Sequence, residues 1–124
     1  MIRSTMEGIV YSMKESMAIL ESLGIRADRV IASGGGAKSP LFRQIQADMY
    51  NCPVYTNREK EQASLGAAIS AAVGCGYFAD YEEACAGMVR LNEEVTEPDP
   101  EHVKIYDEEF LRFREIYKAN KGIF

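Results

Sequence analysis

Apolar residues recur at helical spacing in several runs along this chain, and turn signals fill the gaps between them. Met6, Ile9, Val10, Met13, Met17, Leu20 and Leu23 lie three or four apart until Gly24 stops them, so the chain opens on an amphipathic helix. Ser4-Thr5-Met6-Glu7 has the form of a capping box at its start. Leu41, Phe42, Ile45 and Met49 mark the buried side of a second helix, which Asn51 can terminate. Val103, Tyr106, Phe110, Phe113 and Tyr117 form a stripe on a last helix opened by Asp99-Pro100. That stripe is short and aromatic, which suits a terminal helix packed on its own domain better than a coiled coil. Glu108, Glu109, Arg112 and Glu115 read as its solvated face.

Shorter runs carry a different period. Val30-Ile31-Ala32 reads as a buried strand, and Pro53-Val54-Tyr55 as a second strand with proline at its start. Gln62 to Val73 is a helix made of Ala63, Ser64, Gly66, Ala67, Ala68, Ser70, Ala71 and Ala72, a composition that predicts close backbone packing, with Gly74 and Gly76 ending it. Asp80-Tyr81-Glu82-Glu83 opens a short helix through Met88, and Leu91 to Pro100 reads as an extended acidic connector.

The candidate chemistry lies between the first strand and the second helix, in Ser33-Gly34-Gly35-Gly36-Ala37-Lys38-Ser39-Pro40. Three glycines permit backbone angles and close approaches that side chains forbid, while Ser39 supplies an N-cap and Pro40 a first-turn proline. Backbone N–H groups and the positive end of a helix then gather where a nucleotide can lie against the chain. A phosphate-binding P-loop is excluded, because Ala32 and Ala37 stand where its glycines are required. The dinucleotide fingerprint also fails, since Ser39 replaces its last glycine and no acidic residue ends a following strand. A tight turn without a ligand is the alternative.

Composition narrows the classes. At 124 residues and 47% apolar content one globular domain is the natural count. A net charge of −5, with its 14 Lys and Arg scattered, leaves no basic stripe for nucleic acid. Cys52, Cys75 and Cys85 show no paired spacing, and His102 is the lone histidine, so the cysteines are expected to be reduced core thiols and no metal site is expected. No apolar run is long enough to span a membrane and no signal peptide opens the chain, so a cytoplasmic setting is expected.

The run from Ser33 to Asp48, followed by Cys52-Pro53-Val54 and by Glu61-Gln62-Ala63-Ser64-Leu65-Gly66-Ala67-Ala68, resembles the C-terminal lobe of FGGY-family carbohydrate kinases in order and spacing. Ser4-Thr5-Met6-Glu7 resembles the end of that family's second signature, and Glu97-Pro98-Asp99-Pro100 the stretch before its final helix. Xylulose kinases are the members it looks most like. The resemblance implies an α/β fold, a partial RNase-H-like domain of the actin and sugar-kinase superfamily that is helix-rich with two or three short strands. Residues 1–124 would be the C-terminal part of the family's C-terminal domain. The catalytic aspartate, the main phosphate-contacting segments, the sugar-binding lobe and the domain's first strands would then lie upstream of Met1.

By the same resemblance the complete enzyme transfers phosphate from magnesium-bound ATP to a sugar hydroxyl, and this chain alone has no turnover and carries no catalytic residue. Gly34, Gly35 and Gly36 would pass beneath the adenosine and near the phosphate, and of the three Gly35 is the one most expected to matter. Ser39 stands where other members carry asparagine near the adenine, and Lys38 can steer phosphate by charge or remain a surface lysine. The small-residue helix would form a wall of the adenine cleft. With the first strands missing, the edge Val30 to Ala32 and the face of Met13, Met17 and Leu20 would be covered by self-association into a homodimer. A nucleotide-sensing module and a protein-interaction module are the competing classes.

Overall fold

The computed structural model describes residues 1–123. Seven elements follow in order: α1 (Ile2–Ser22), β1 (Val30–Ala32), α2 (Pro40–Tyr50), β2 (Val54–Thr56), α3 (Gln62–Gly74), α4 (Tyr81–Met88) and α5 (Pro100–Asn120), with a 3-10 turn at Gly36–Lys38 before α2. β1, α2 and β2 form a parallel βαβ unit in which Val30, Ile31 and Ala32 pair with Val54, Tyr55 and Thr56. The acidic connector runs antiparallel along the other side of β2: Val54 and Thr96 exchange N–H to carbonyl bonds at 2.9 Å, and Asn92 N–H donates to the Thr56 carbonyl. β2 is therefore flanked on both sides. β1 keeps one edge without a strand partner among the described residues.

α2 is the centre of the fold. Its Ile45 and Met49 pack against Val10 of α1 and Tyr106 of α5, with Met6, Tyr11, Phe42 and Tyr50 closing that core. On its other side Ala47 meets Ala32 and Val54 across the strand pair, where a small residue is what the short separation admits. α5 lies along α1, with the Tyr11 ring stacked on Phe113 and Phe110 and edge-on to Tyr106. Burial, with Glu109 next, pushes the Tyr11 hydroxyl up to about 12.

One buried carboxylate fixes the start of α5. Asp48 is 1% exposed, accepts the Asp99 N–H at 2.8 Å and the Gln44 Nε2 at 2.8 Å through Oδ1, and faces His102 Nδ1 at 3.1 Å through Oδ2. Asp99 in turn caps α5 by accepting the Glu101 N–H.

Several boundaries follow the sequence signals. Ser39 caps α2 by accepting the Phe42 N–H at 3.3 Å, Pro40 takes its first position, and Asn51 ends it with φ of 51°. Asp80 caps α4 by accepting the Glu83 N–H, while the Glu83 carboxylate reaches back to the Ala79 N–H. Gly24 and Gly76 close α1 and α3 in the same way: each has positive φ, and the residue after it donates to the carbonyl five positions back, Ile25 to Leu20 and Tyr77 to Ala72.

Other expectations are corrected. α1 begins before its capping box, and the hydroxyls of Ser4 and Thr5 donate back to the Met1 carbonyl inside the first turn. On its apolar face Val10 alone is fully buried, and the exposure of Ile9, Met13, Leu20 and Leu23 agrees with the uncovered face that the resemblance implies. β1 is half-buried, with Ile31 outward. α3 packs on α4, and Ile69 and Ala84 are their buried residues, whereas Ala63, Ser64, Gly66, Ala67, Ala68, Ser70 and Ala71 are exposed among the described residues. Cys52 alone is a core thiol, its pKa raised by burial, while Cys75 and Cys85 are exposed. No helix among the described residues is long and apolar enough to cross a membrane.

Candidate functional site

The fold makes a different demand at each of the three consecutive glycines. Gly34 has φ of +73°, a left-handed conformation that costs an L side chain energy wherever it points. Gly36 has no room: a Cβ there would sit 2.7 Å from Cε1 and 2.8 Å from Cδ1 of Phe42, whose ring closes the main core. Gly35 has neither restriction. Its φ and ψ of −63° and −38° are ordinary right-handed values, and a Cβ would meet nothing within 4 Å. Among the described residues neither backbone conformation nor a neighbouring atom requires glycine at position 35.

Two cavities flank this turn. One, of about 460 Å³, opens at the carboxyl ends of β1 and β2, between Ala32, Gly34, Gly35 and Lys38 on one side and Thr56, Asn57 and the Glu59–Gln62 loop on the other. A crevice outside the carboxyl ends of parallel strands is where open α/β sheets take their ligands. Its charges are mixed, with Lys38, Lys60 and Arg43 facing Glu59, Glu61 and Glu94. The second cavity, of about 590 Å³, runs from Gly35, Gly36 and Ser39 along the open edge of β1 to Met6, Ile9 and Met13 of α1. At its floor Gln46 is 4% exposed and its Oε1 has no hydrogen-bond partner among the described residues. Gly35 belongs to both cavities, so a side chain at this position would stand between them.

The structure brings all five anticipated residues to this place. Gly34, Gly35 and Lys38 line the polar cleft, while Gly35, Gly36 and Ser39 line the apolar one. The supply of free N–H groups is smaller than the sequence suggested. Lys38 and Ser39 donate to the Gly35 and Gly36 carbonyls, and Phe42 and Arg43 donate to Ser39. Ser39 Oγ, committed as acceptor to the cap, still carries a proton to donate. Among the described residues, α3 contributes Gln62 to the lining of the polar cleft.

Arg43, in the first turn of α2, bonds to the glycine turn and to the connector. Its guanidinium donates to the Ala37 carbonyl at 2.8 Å, to Glu94 Oε1 at 3.0 Å and to Thr96 Oγ1 at 3.4 Å. The connector was missed as part of the site. Asn92 joins it to β2 by donating to Thr56 Oγ1 at 2.8 Å and to the Asn57 carbonyl at 3.2 Å. An amide followed by acidic residues within an extended run was the available signal, and it did not say which strand the run would join.

A parallel βαβ unit with a glycine turn directly after its first strand defines an open α/β class in which the crevice at the carboxyl ends of the strands is the place for a ligand. Residues 1–75 match the C-terminal domain of the FGGY family of carbohydrate kinases, and the chain belongs to that family. The xylulose kinase of Staphylococcus epidermidis is 35% identical over 121 residues, which are 98% of this chain and 24% of that protein. The ligand-bound xylulose kinase of Lactobacillus acidophilus superposes with a TM-score of 0.83 at 26% identity, over 94% of this chain and 23% of that one. The gluconate kinase of the same species gives 0.82 at 25% identity, over 93% and 23%. The chain spans about a quarter of the length of these relatives. Its fold is a helix-rich part of the actin-like sugar-kinase fold, with two short strands.

Proposed function

We propose that this chain is the nucleotide-facing part of an ATP-dependent carbohydrate kinase, with Gly34, Gly35 and Gly36 forming a wall of the site for ATP or ADP and its Mg²⁺. Gly35 carries the reading: like Gly8, Gly66 and Gly74 it is required by neither conformation nor internal packing, but unlike them it lies where the two cavities meet, and a ligand close to the backbone there would account for it. Ser39 offers its hydroxyl proton from one side of the turn and Lys38 a positive charge from the other. The metal would be held through the phosphates and by residues outside this sequence.

The reaction assigned to the whole enzyme is phosphoryl transfer to a sugar hydroxyl, the sugar being xylulose or a relative of it. A xylulose kinase and a gluconate kinase match this chain equally well in shape, so sugar selection is assigned to residues outside it. The purified chain is expected to show no ATP-dependent phosphorylation of xylulose, ribulose, gluconate or glycerol. A coupled ADP-release assay with each sugar checks this, and robust turnover with any of them would overturn the division of labour.

A second reading concerns the chain by itself. The open β1 edge, the exposed Ile9, Met13 and Ile31, and the unpartnered Gln46 Oε1 form one surface, and a second copy could cover it. A two-fold homodimer paired through β1 is the expected form. Light scattering across a dilution series tests it; a monomer at high micromolar concentration would refute it and leave a protein partner as the competing occupant.

A further inference from the structure

Arg43 is more enclosed than its charge requires. Its side chain is 12% exposed, although α2 passes close to solvent at this point and the Glu94 carboxylate it meets is 77% exposed. An exposed carboxylate does not draw a guanidinium inward; pairs of that kind contribute little to stability. The enclosed partner is the Ala37 carbonyl, at 2.8 Å, in the middle of the 3-10 turn that joins Gly35 to α2. The other two donors reach Glu94 and Thr96, both on the connector, and Thr96 is bonded in both directions to Val54 of β2. One planar fork therefore holds three places fixed relative to one another: the glycine turn, the start of α2 and the connector along β2.

That turn has little else to hold it. Its two internal bonds, Lys38 N–H to the Gly35 carbonyl at 3.3 Å and Ser39 N–H to the Gly36 carbonyl at 3.0 Å, belong to a single 3-10 turn of three residues, and two of the preceding residues are exposed glycines. Short 3-10 segments have poorer hydrogen-bond geometry than an α-helix, and glycine has the widest choice of alternative conformations. A charged donor on a carbonyl of such a segment selects one conformation from several.

We propose that Arg43 is a positioning residue that sets the shape of the glycine turn through the Ala37 carbonyl and couples it to the connector at Glu94 and Thr96. Resting on the nucleotide reading above, the proposal makes affinity at the turn depend on a side chain that need not touch the nucleotide. Lysine cannot replace the fork. It keeps the charge and three N–H donors, but these radiate from a single atom, so it does not reproduce the planar spread that reaches Ala37, Glu94 and Thr96 together.

The test separates the two layers. Amide hydrogen exchange read by NMR on the purified chain follows Lys38 and Ser39, with Ile45 to Met49 of α2 as the internal control for folding. Arg43→Ala is expected to speed exchange at Lys38 and Ser39 by roughly tenfold or more while the α2 interior keeps its protection, the change expected for loss of one charged hydrogen bond. Arg43→Lys is expected to restore part of that protection, and Thr96→Val, which leaves Arg43 in place, to loosen the turn by a smaller factor. Unchanged exchange at Lys38 and Ser39 in a folded Arg43→Ala chain overturns the proposal. If Arg43→Ala does not fold, Arg43→Lys decides: exchange at Lys38 and Ser39 equal to wild type overturns the proposal, and faster exchange there supports it. MgADP calorimetry on the same variants tests the second layer. A loosened turn with unchanged MgADP affinity overturns the coupling, whereas absence of MgADP binding by the wild-type chain counts against the nucleotide reading and leaves the exchange result standing.

Discussion

Replacing each glycine of the turn by alanine, one at a time, separates the different demands that the fold makes at the three positions. At Gly34 the new Cβ must adopt φ near +73°, and the left-handed penalty of about 1–2 kcal/mol exceeds the unfolded-state gain, leaving a net loss of about 1 kcal/mol. At Gly36 the Cβ overlaps the Phe42 ring at 2.7 Å, and moving a ring that closes the main core costs about 1–3 kcal/mol. At Gly35 the backbone is already right-handed and the space is open, so alanine restricts only the unfolded chain and stabilises by about 0.4–1 kcal/mol. Urea denaturation of the three variants, compared at constant m-value, reads these differences directly. The expected order is Gly35→Ala above wild type, with Gly34→Ala and Gly36→Ala below it. A Gly35→Ala variant destabilised by more than about 1 kcal/mol would refute the reasoning, because the fold itself would then demand that glycine.

Two further outcomes concern the framework that holds the site. Asp48→Ala removes a fully buried acceptor and leaves the Asp99 N–H and the Gln44 amide without it, so a loss of about 2–4 kcal/mol by denaturant titration is expected, and a loss below about 1 kcal/mol would contradict its role in anchoring α5. At Glu7, burial alone would raise the carboxyl pKa, but hydrogen bonds from Arg3 and Tyr106 outweigh it and hold the group below its ordinary value of 4.5. A depressed carboxylate contributes stability that is fully present above the unfolded value and is lost as pH falls through the folded one. Wild type should therefore lose more stability than Glu7→Gln between about pH 5 and pH 3, and parallel profiles would contradict the assignment.

The elements were legible where a local signal fixes them. Ser39-Pro40, Asp80, Asp99-Pro100, Asn51, Gly24 and Gly76 each act within a few residues of themselves, and each does in the structure what its chemistry dictates. Ser4 is the exception, because a serine inside a first turn can return its hydroxyl to the carbonyl three residues back instead of capping the turn ahead. Burial was less legible. Apolar spacing on α1 and small residues on α3 define a face, but whether that face is covered depends on what lies opposite, and neither Met13 nor Ala67 carries that information. The site was half legible: Gly34 to Ser39 stood out in the sequence, while Asn92 and Glu94 join it through contacts with residues 35 to 51 positions away, and Arg43 ties them to the turn through Ala37.

The central claim is that the turn faces a nucleotide at Gly35, and calorimetry of MgADP with wild type and Gly35→Val tests it most directly. A Cβ at position 35 meets nothing within 4 Å and lies where the two cavities meet, so the variant should remain folded by circular dichroism. The account predicts MgADP affinity weakened by about tenfold or more in the folded variant, the scale set by about 1.4 kcal/mol of excluded contact. Equal affinity of folded wild type and folded Gly35→Val for MgADP would contradict it.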